Sequence, residues 1–428
     1  MIDRRRRSII GGKVSMRRIV LLGSIALALI GLSVPAAGSG AASTPGVTPK
    51  LVTIGGTYPL TGPASLYATI PAAMKAYFSY VNGRKGADGR RGVFGRQIKF
   101  VYLDDGYNPA NTVQLTRQLV EQTKVFAIVG SLGTEPNLAT RPYLNSVKVP
   151  QMLVATGATT WGRDWKQYPW TTGWQPDYEL EGKIYGRAIA HNAGKQKIAV
   201  LYQNDDYGND YLRGLKAGLG AKAGNIAGAE AYDVTASDVK SQVAKLRATG
   251  ATVFCIFATP KFTIQAYVIA HALGWNPPVI YTNSVSGTST FLALAQKAGA
   301  GALVNNTYTV QYQKDPSSPR WANDSAMKLY RQLLSRYAPQ LNPNDNLNAY
   351  GVAVAEAFVE LLQKAGPNPT RDSLLAAYRH WNQANPFLIP GNIQHTDAKS
   401  QFPIRGEVIV KFGDGVFTPV SGLKIPKL

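Results

Sequence analysis

Short apolar runs alternate along most of the chain with longer segments whose apolar residues recur at helical spacing. Runs such as VTIGG, IKFVYL and FAIVG are typical of buried strands, because glycine and polar residues bound them on both sides. After the first run, Ile70, Met74, Phe78 and Val81 fall on one face of a predicted helix, together with Tyr77. Strands separated by helices of this length predict parallel sheets wound by right-handed crossovers.

A break at YPWTTGWQPDYE, residues 168–179, ends one strand-helix series and precedes a second, which begins with a predicted helix over 178–192. Residues 305–315 and 390–399 are expected to be two further crossings, and Asp414-Gly415 predicts a hairpin turn. The fold class is therefore α/β: two similar doubly wound lobes with parallel central sheets, joined by a three-strand hinge. The expected division is 1–42 leader, 43–49 linker, 50–174 with 309–392 for the first lobe, and 175–308 with 393–428 for the second.

The first 42 residues have the pattern of a cleavable signal peptide. Basic residues up to Arg18 precede an apolar run over 19–32, and small residues follow it. That run is shorter than the roughly 20 residues of a bilayer span. We therefore expect an exported protein, periplasmic or extracellular. The only cysteine, Cys255, lies in the predicted strand TVFCIFA, so we expect neither a lipid anchor at the cleavage site nor an internal disulfide.

The chain carries 46 basic and 25 acidic residues, a formal charge of +21. Seven basic residues and one acidic residue lie in the first 42, which leaves 39 basic and 24 acidic and a charge of +15. Apart from the glycine-rich connector 82–96, the basic residues are scattered singly, without an aromatic-interleaved stripe. Nucleic-acid binding is therefore not expected, and a solvated basic surface is the simpler interpretation.

In open parallel sheets, ligands bind outside the carboxyl ends of the strands. Those ends here are rich in hydroxyls, small residues and aromatics, as in GSLGTE, ATGATT and TNSVSGT. The turn at Gly130–Thr134, before a helix expected to open at Pro136, would present backbone N–H groups to an anion. No G-x-S-x-G, G-x-x-x-x-G-K-[ST] or G-x-G-x-x-G pattern occurs where its chemistry needs it, and the four histidines stand apart. We therefore predict no catalytic residues, no metal and no cofactor. An enzyme stays a third alternative, because catalytic groups can be brought together by the fold without forming a sequence motif.

The chain resembles the type I periplasmic solute-binding proteins of ABC importers, in the branched-chain amino acid (leucine/isoleucine/valine) binding family. The resemblance rests on VTIGGTYPLTGPAS, VNGRKGADGRRGVFGRQIKFVYLDDGYNPANTV, VFAIVGSLGT, VPQMLVATGA, PWTTGWQPDYELEG and LYQNDDYGNDYLRGLKAGL, in this order. It covers nearly all of the chain after residue 47. It implies hinge closure around a small ligand, delivery to ABC permease subunits, and a monomer.

The resemblance also implies ligand-binding positions. A carboxylate would be held by backbone N–H groups and hydroxyls at Thr134, Ala155, Thr156, Ala158 and Thr159. A loop that is about two residues longer than in amino acid binders leaves the register of Thr156 against Thr159 open. Thr134 has a plain alternative as a helix N-cap.

Aromatic contacts to the ligand are implied at Tyr67 and Tyr207, and both could instead be half-buried surface tyrosines. At the first crossing, Tyr178 is placed beside the ligand, with Trp174 and Gln175 near it. The other tryptophans of this region are expected to pack in the core and hinge.

Asn283 stands where amino acid binders carry a glutamate for the α-ammonium. A buried ammonium without a carboxylate partner is costly, so the ligand is expected to be a carboxylate, amide or aromatic acid without an α-amino group. Asp205, Asp206 and Glu135 are the alternative sources of negative charge. The leading hypothesis is a transport binding protein, and the alternative is a ligand-sensing module of a receptor or kinase system with the same fold.

Overall fold

The computed structural model describes residues 44–192 and 196–420. The predicted signal peptide 1–42 lies outside the described residues. No helix among those described is long and apolar enough to cross a membrane.

The first sheet has five parallel strands, and all of them come from the first half of the chain. They are β1 (Leu51–Tyr58), β2 (Gln97–Asp104), β3 (Ile128–Val129), β4 (Gln151–Val154) and β5 (Thr171–Gly173). Their order across the sheet is β2-β1-β3-β4-β5. The connecting helices are α1 (Thr69–Gly83), α2 (Pro109–Arg117), α3 (Thr134–Ser146) and the single turn α4 (Thr160–Arg163). Asn108 caps α2 and Pro109 opens it.

The second sheet has seven strands, five parallel and two antiparallel. Its strands are β6 (Ile198–Gln203), β7 (Ile226–Tyr232), β8 (Val253–Phe257), β9 (Val279–Thr282), β10 (Thr307–Gln311), β13 (Val408–Gly413) and β14 (Val416–Pro419). Their order is β14-β13-β10-β9-β8-β6-β7, and the antiparallel pairs are β10 with β13 and β13 with β14. The predicted hairpin turn is confirmed at Asp414-Gly415, where both residues have positive φ. Cys255 is buried within β8.

Helices cover both sheets. The second sheet carries α5 (Tyr178–Asn192), α6 (Asp206–Leu219), α7 (Lys240–Ala248), α8 (Pro260–Ala272) and α9 (Ser289–Ala295). The chain then returns to the first sheet with α10 (Ser325–Tyr337), α11 (Asn346–Lys364) and α12 (Arg371–Arg379), followed by the small antiparallel pair β11 (Asn382–Ala384) and β12 (Ile393–His395). Short helical turns of 3-10 or π type lie at Ser65–Tyr67, Gln118–Gln122, Gly220–Asn225, Gln296–Ala300, Gly301–Asn306 and Pro319–Trp321.

Each sheet has its own core. In the first lobe, α1 packs between α11 and β2, where the Phe78 ring lies 6.1 Å from Phe358 and 5.5 Å from Phe100. In the second lobe, α5 and α6 approach closely through glycines. A Cβ at Gly214 would lie 2.0 Å from the Glu179 carbonyl oxygen, and one at Gly186 would lie 2.3 Å from that of Leu215. Larger residues at these positions would push the two helices apart.

The chain passes between the lobes three times. It leaves the first sheet after Gly173, leaves the second after Gln311, and goes from Ile404 in the first core to β13 in the second sheet. The last passage therefore comes later than the expected 390–399. The expected boundary between residues 308 and 309 falls inside β10.

Candidate ligand-binding cavity

A cavity lies between the lobes, near the carboxyl ends of the strands in both sheets. Its lining surrounds about 730 Å³ of empty space, part of which is open to solvent. Asp, Glu, Lys, Arg and His are all missing from its described lining, which includes six tyrosines. The lining residues are Tyr67, Ile70, Tyr107, Leu132, Gly133, Thr134, Ala155, Thr156, Gln175, Tyr178, Tyr207, Thr259, Ser284, Val285, Gly287, Thr288, Val310, Gln311, Tyr312, Gln313, Asn346, Leu347 and Tyr350.

The first-lobe wall is built on the start of α3 and on the loop after β4. The helix begins at Thr134, two residues before the expected Pro136, and Gly133 occupies the cap position with φ 107°. The Thr134 side chain makes no capping bond; its hydroxyl bonds instead to that of Thr156, at 2.7 Å, and both residues are buried. The first N–H groups of a helix have no partner within it, so this wall offers hydroxyls beside a helix N-terminus.

A chain of hydrogen bonds fixes the polar groups that the crossings contribute. The Tyr178 hydroxyl donates to Gln175 Oε1 at 2.8 Å, and Gln175 Nε2 donates to the Tyr350 hydroxyl at 3.1 Å. Trp174, expected near the ligand, does not line the cavity. It is fully buried behind this wall, 5.3 Å from the Tyr350 ring, and its Nε1 donates to Gln394 Oε1 at 2.7 Å.

The second-lobe wall consists of Tyr207 and the loop after β9. The Tyr207 ring lies 5.3 Å from that of Tyr178, and its hydroxyl accepts a hydrogen bond from Asn283. Ser284 and Val285 are residues of this loop that line the cavity. Behind them, the buried Glu181 carboxylate anchors the loop.

Glu181 is 1% exposed and accepts four hydrogen bonds. The donors are Tyr185 Oη at 2.7 Å, Tyr211 Oη at 2.9 Å, Ser284 N at 2.7 Å and Ser284 Oγ at 2.7 Å. Burial raises the pKa of this carboxyl, while the bonds from Tyr185, Ser284 and Tyr211 act in the opposite direction. With its oxygens occupied in this way, Glu181 supports the wall and does not face the cavity.

Tyr67 joins the two walls. It follows β1 in the first lobe, and its hydroxyl donates to the Val285 carbonyl oxygen of the second lobe at 3.2 Å. Its ring lies 6.4 Å from that of Phe291, and only 5% of the residue is exposed. The lobes thus meet over the cavity.

Six of the nine predicted ligand-binding residues line this cavity: Tyr67, Thr134, Ala155, Thr156, Tyr178 and Tyr207. Ala158 and Thr159 do not line it. Ala158 packs in the core beside Trp161, and Thr159 is held outside the cavity by two carboxylates. Its N–H donates to Asp210 Oδ2 at 2.7 Å, and its hydroxyl donates to Asp177 Oδ1 at 3.0 Å.

Asn283 is also buried outside the lining, because its amide is used internally. Besides Tyr207, it bonds to the Ala258 carbonyl oxygen at 3.3 Å and accepts from Ser286 N at 3.2 Å. The alternative acids do not line the cavity either. Asp205 caps α6 through Gly208 N at 3.2 Å, and burial raises its pKa to about 6. Burial and the neighbouring Asp206 raise the pKa of Glu135.

Several lining residues were absent from the predicted set. Thr259, Ser284 and Val285 lie in strand-end loops that the sequence had marked as rich in hydroxyls, so the strand-end rule could have found them. Tyr312, Asn346 and Tyr350 come from the second crossing and the start of α11. Among the described residues, no cluster of His, Cys, Asp and Glu could hold a metal ion.

Two parallel-dominated α/β lobes that close over an uncharged cavity define a type I periplasmic binding protein fold. The chain belongs to the periplasmic binding protein family, whose model matches residues 51–404. The family resemblance drawn from the sequence motifs is thereby confirmed.

Solved structures with the same architecture include a possible leucine/isoleucine/valine-binding protein from Rhodopirellula baltica. It superimposes with a TM-score of 0.73 at 20% identity, covering 87% of this chain and 96% of that one. A fatty acid ABC transporter substrate-binding protein from Thermomonospora curvata superimposes with a TM-score of 0.72 at 22% identity, covering 88% of this chain and 93% of that one. At these identities the likeness concerns the fold.

An amino acid binding protein from Pseudomonas aeruginosa is 26% identical over 174 residues. The alignment covers 38% of this chain and 43% of that protein, so the chain spans less than half of the relative's length.

Proposed function

We propose that this protein is the solute-binding component of an ABC importer, exported to the periplasm or cell exterior, which captures a small ligand by closing its two lobes and delivers it to permease subunits. The observation that carries the proposal is the uncharged cavity between the lobes, to which both sheets and the crossings contribute. Family membership and the similarity to the fatty acid ABC transporter substrate-binding protein of T. curvata support a transport role.

The proposed ligand carries a carboxylate or amide and no ammonium group. Thr134, Thr156 and the free N–H groups at the start of α3 would hold the polar end, while Tyr67, Tyr178 and Tyr207 would cover the apolar body. Asn283 lies outside the lining, so it does not bear on whether the ligand carries an ammonium group. No carboxylate lines the described part of the cavity, and Glu181 behind Ser284 already accepts four hydrogen bonds.

The proposed lobes follow the expected division, residues 50–174 with 309–392 and 175–308 with 393–428, except that all of β10 belongs to the second lobe and the first lobe extends to Ile404. In closed form they would bury the ligand, and desolvation of an unpaired ammonium there would cost affinity. A carboxylate loses hydration as well, but three or four hydrogen bonds of about 1.5–3 kcal/mol each to the charged group would offset that loss.

The test compares each amino acid with its des-amino counterpart by isothermal titration calorimetry. Leucine would be measured against 4-methylpentanoate and its amide, and phenylalanine against 3-phenylpropionate and its amide, at one pH. We expect the des-amino member of a pair to bind at least about tenfold more tightly, equivalent to about 1.4 kcal/mol. Tighter binding of the amino acid would refute the ligand class and leave transport standing. If no small solute binds, the solute-binding role itself is wrong.

A further inference from the structure

The amino ends of the strands in the first sheet carry a row of exposed cations. One precedes β1, four lie in the loop before β2, one precedes β3 and one precedes β4. We call this set the basic edge; its members are Lys50, Arg84, Lys85, Arg90, Arg91, Lys124 and Lys148.

The basic edge is one continuous surface, because the four strands are consecutive neighbours in the sheet. Neighbouring strands lie about 4.8 Å apart, so the row extends over roughly 15 Å before side chains are added. Hydrogen bonds to backbone carbonyl groups join its parts. The Lys50 carbonyl accepts from Gln97 N at 2.9 Å, and the Arg371 guanidinium bridges the carbonyl oxygens of Val125 at 2.9 Å and Lys148 at 3.4 Å.

Few acids neutralise the basic edge. Asp88 pairs with Arg90 at 2.8 Å, and Glu121 is engaged by Arg117 at 3.3 Å. Within the described ranges, Lys85, Arg91 and Lys148 make no ion pair. Cations near helix C-termini also offset the helix dipole, as Lys148 does after α3. That role does not account for four cations within the eight residues from Arg84 to Arg91.

Several acids and the exposed Arg163 lie near the opposite end of the same sheet. Asp104 and Glu135 lie at the carboxyl ends of its strands, and Asp205 and Asp206 lie at the start of α6 in the second lobe. A negatively charged surface would therefore attract the basic edge and repel the cavity end. This polarity distinguishes an oriented interaction from attraction to net charge alone.

The described chain also begins at this edge. Residues 44–48 run beside β1, with Thr53 N donating to the Gly46 carbonyl at 2.7 Å and Arg96 Nε donating to the Thr48 carbonyl at 2.8 Å.

We propose that the basic edge binds the anionic phospholipid headgroups of a membrane surface, and that it does so with the cavity end directed toward solvent. Such binding would be reversible and sensitive to salt, since it depends on exposed charges. It would keep the protein near the membrane while leaving the cavity mouth uncovered. The proposal does not depend on the identity of the ligand.

The experiment is sedimentation of the full-length protein with vesicles of pure phosphatidylcholine or of phosphatidylcholine mixed with phosphatidylglycerol, at low and high salt. The test variant is Lys85→Glu/Arg91→Glu/Lys148→Glu. The matched control is Lys216→Glu/Lys240→Glu/Lys297→Glu, which makes the same change in net charge at exposed positions of the second lobe. Residues 1–43 are identical in all three proteins, so differences between them report the fold and not the leader. Circular dichroism and melting temperature check folding.

We expect the phosphatidylglycerol vesicles to bind the wild type at least tenfold more strongly than the neutral ones, with most of this preference lost at high salt. The test variant should lose the preference, and the control variant should keep most of it. Equal loss in both variants would show that net charge alone is responsible. Absence of any preference in the wild type would also overturn the proposal, and would direct attention to an acidic protein partner for the same edge.

Discussion

Glu181 in the second lobe and the half-buried Glu356 in the first lobe are accommodated in opposite ways. In the second lobe, Glu181 on α5 accepts hydrogen bonds from two tyrosines and from both donors of Ser284. In the first lobe, Glu356 on α11 has an Oε2 atom that is buried without a hydrogen-bond partner. Burial and the neighbouring Glu360 raise the pKa of Glu356 to about 8.

The difference shows what a buried acid contributes in each setting. Because Glu181 binds donors on both α5 and α6 and on the loop after β9, it ties the second-lobe wall to its core. Glu356 lies on α11 of the first lobe, where it interacts electrostatically with Glu360 and Tyr77. A carboxylate with four donors can organise a binding wall, whereas one with an unpaired oxygen is tolerated mainly as the neutral acid.

The largest expected effect comes from removing the carboxylate of Glu181. Glu181→Ala would leave the hydroxyls of Tyr185 and Tyr211 and the N–H of Ser284 without their acceptor in a buried site. We expect the free energy of unfolding, measured by urea titration, to fall by about 3–5 kcal/mol, as when one partner of a buried charged contact is lost. Glu181→Gln, which keeps one acceptor oxygen, should lose less. Equal losses for the two variants would mean that hydrogen bonding to the carboxylate is not the cause.

A smaller effect is expected for the ring that forms the second-lobe wall. Tyr207→Ala should weaken ligand binding by about 1–3 kcal/mol, because the aromatic surface at a desolvated contact is lost. Tyr207→Phe is the matched control: it keeps the ring and removes only the hydroxyl that accepts from Asn283. Calorimetry that finds unchanged affinity for Tyr207→Ala, in a protein with a normal melting curve, would exclude ligand contact by this ring.

The sequence predicted the parts of this architecture that are encoded locally. Hydrophobic periodicity located the main strands and predicted helix α5 over its observed residues 178–192, and the family resemblance implied Thr134, Thr156 and Tyr207, which line the cavity. The sequence alone could not show that Tyr350 lines the cavity, because only the tertiary packing of α11 on α1 brings that residue to the crossing. Asn283 and Thr159 illustrate the converse: their positions after strands were recognised, but buried partners that are distant in sequence turn their side chains away from the cavity.

The smallest effect concerns Glu356 and pH. A carboxyl whose folded pKa is raised contributes stability that is fully present below its unfolded pKa, near 4.5, and lost as pH rises through about 8. Wild-type stability should therefore decrease across this window relative to Glu356→Gln, which cannot ionise. We expect the difference in unfolding free energy to shift by about 1–2 kcal/mol in favour of the glutamine variant between pH 5 and 8, since one pKa unit corresponds to 1.36 kcal/mol and Glu356 is incompletely shielded from solvent. Glu121→Gln, at an exposed position of the same lobe, should show no comparable shift. A pH-independent difference for Glu356→Gln would mean that Glu356 finds a partner when ionised, and the contrast with Glu181 would then disappear.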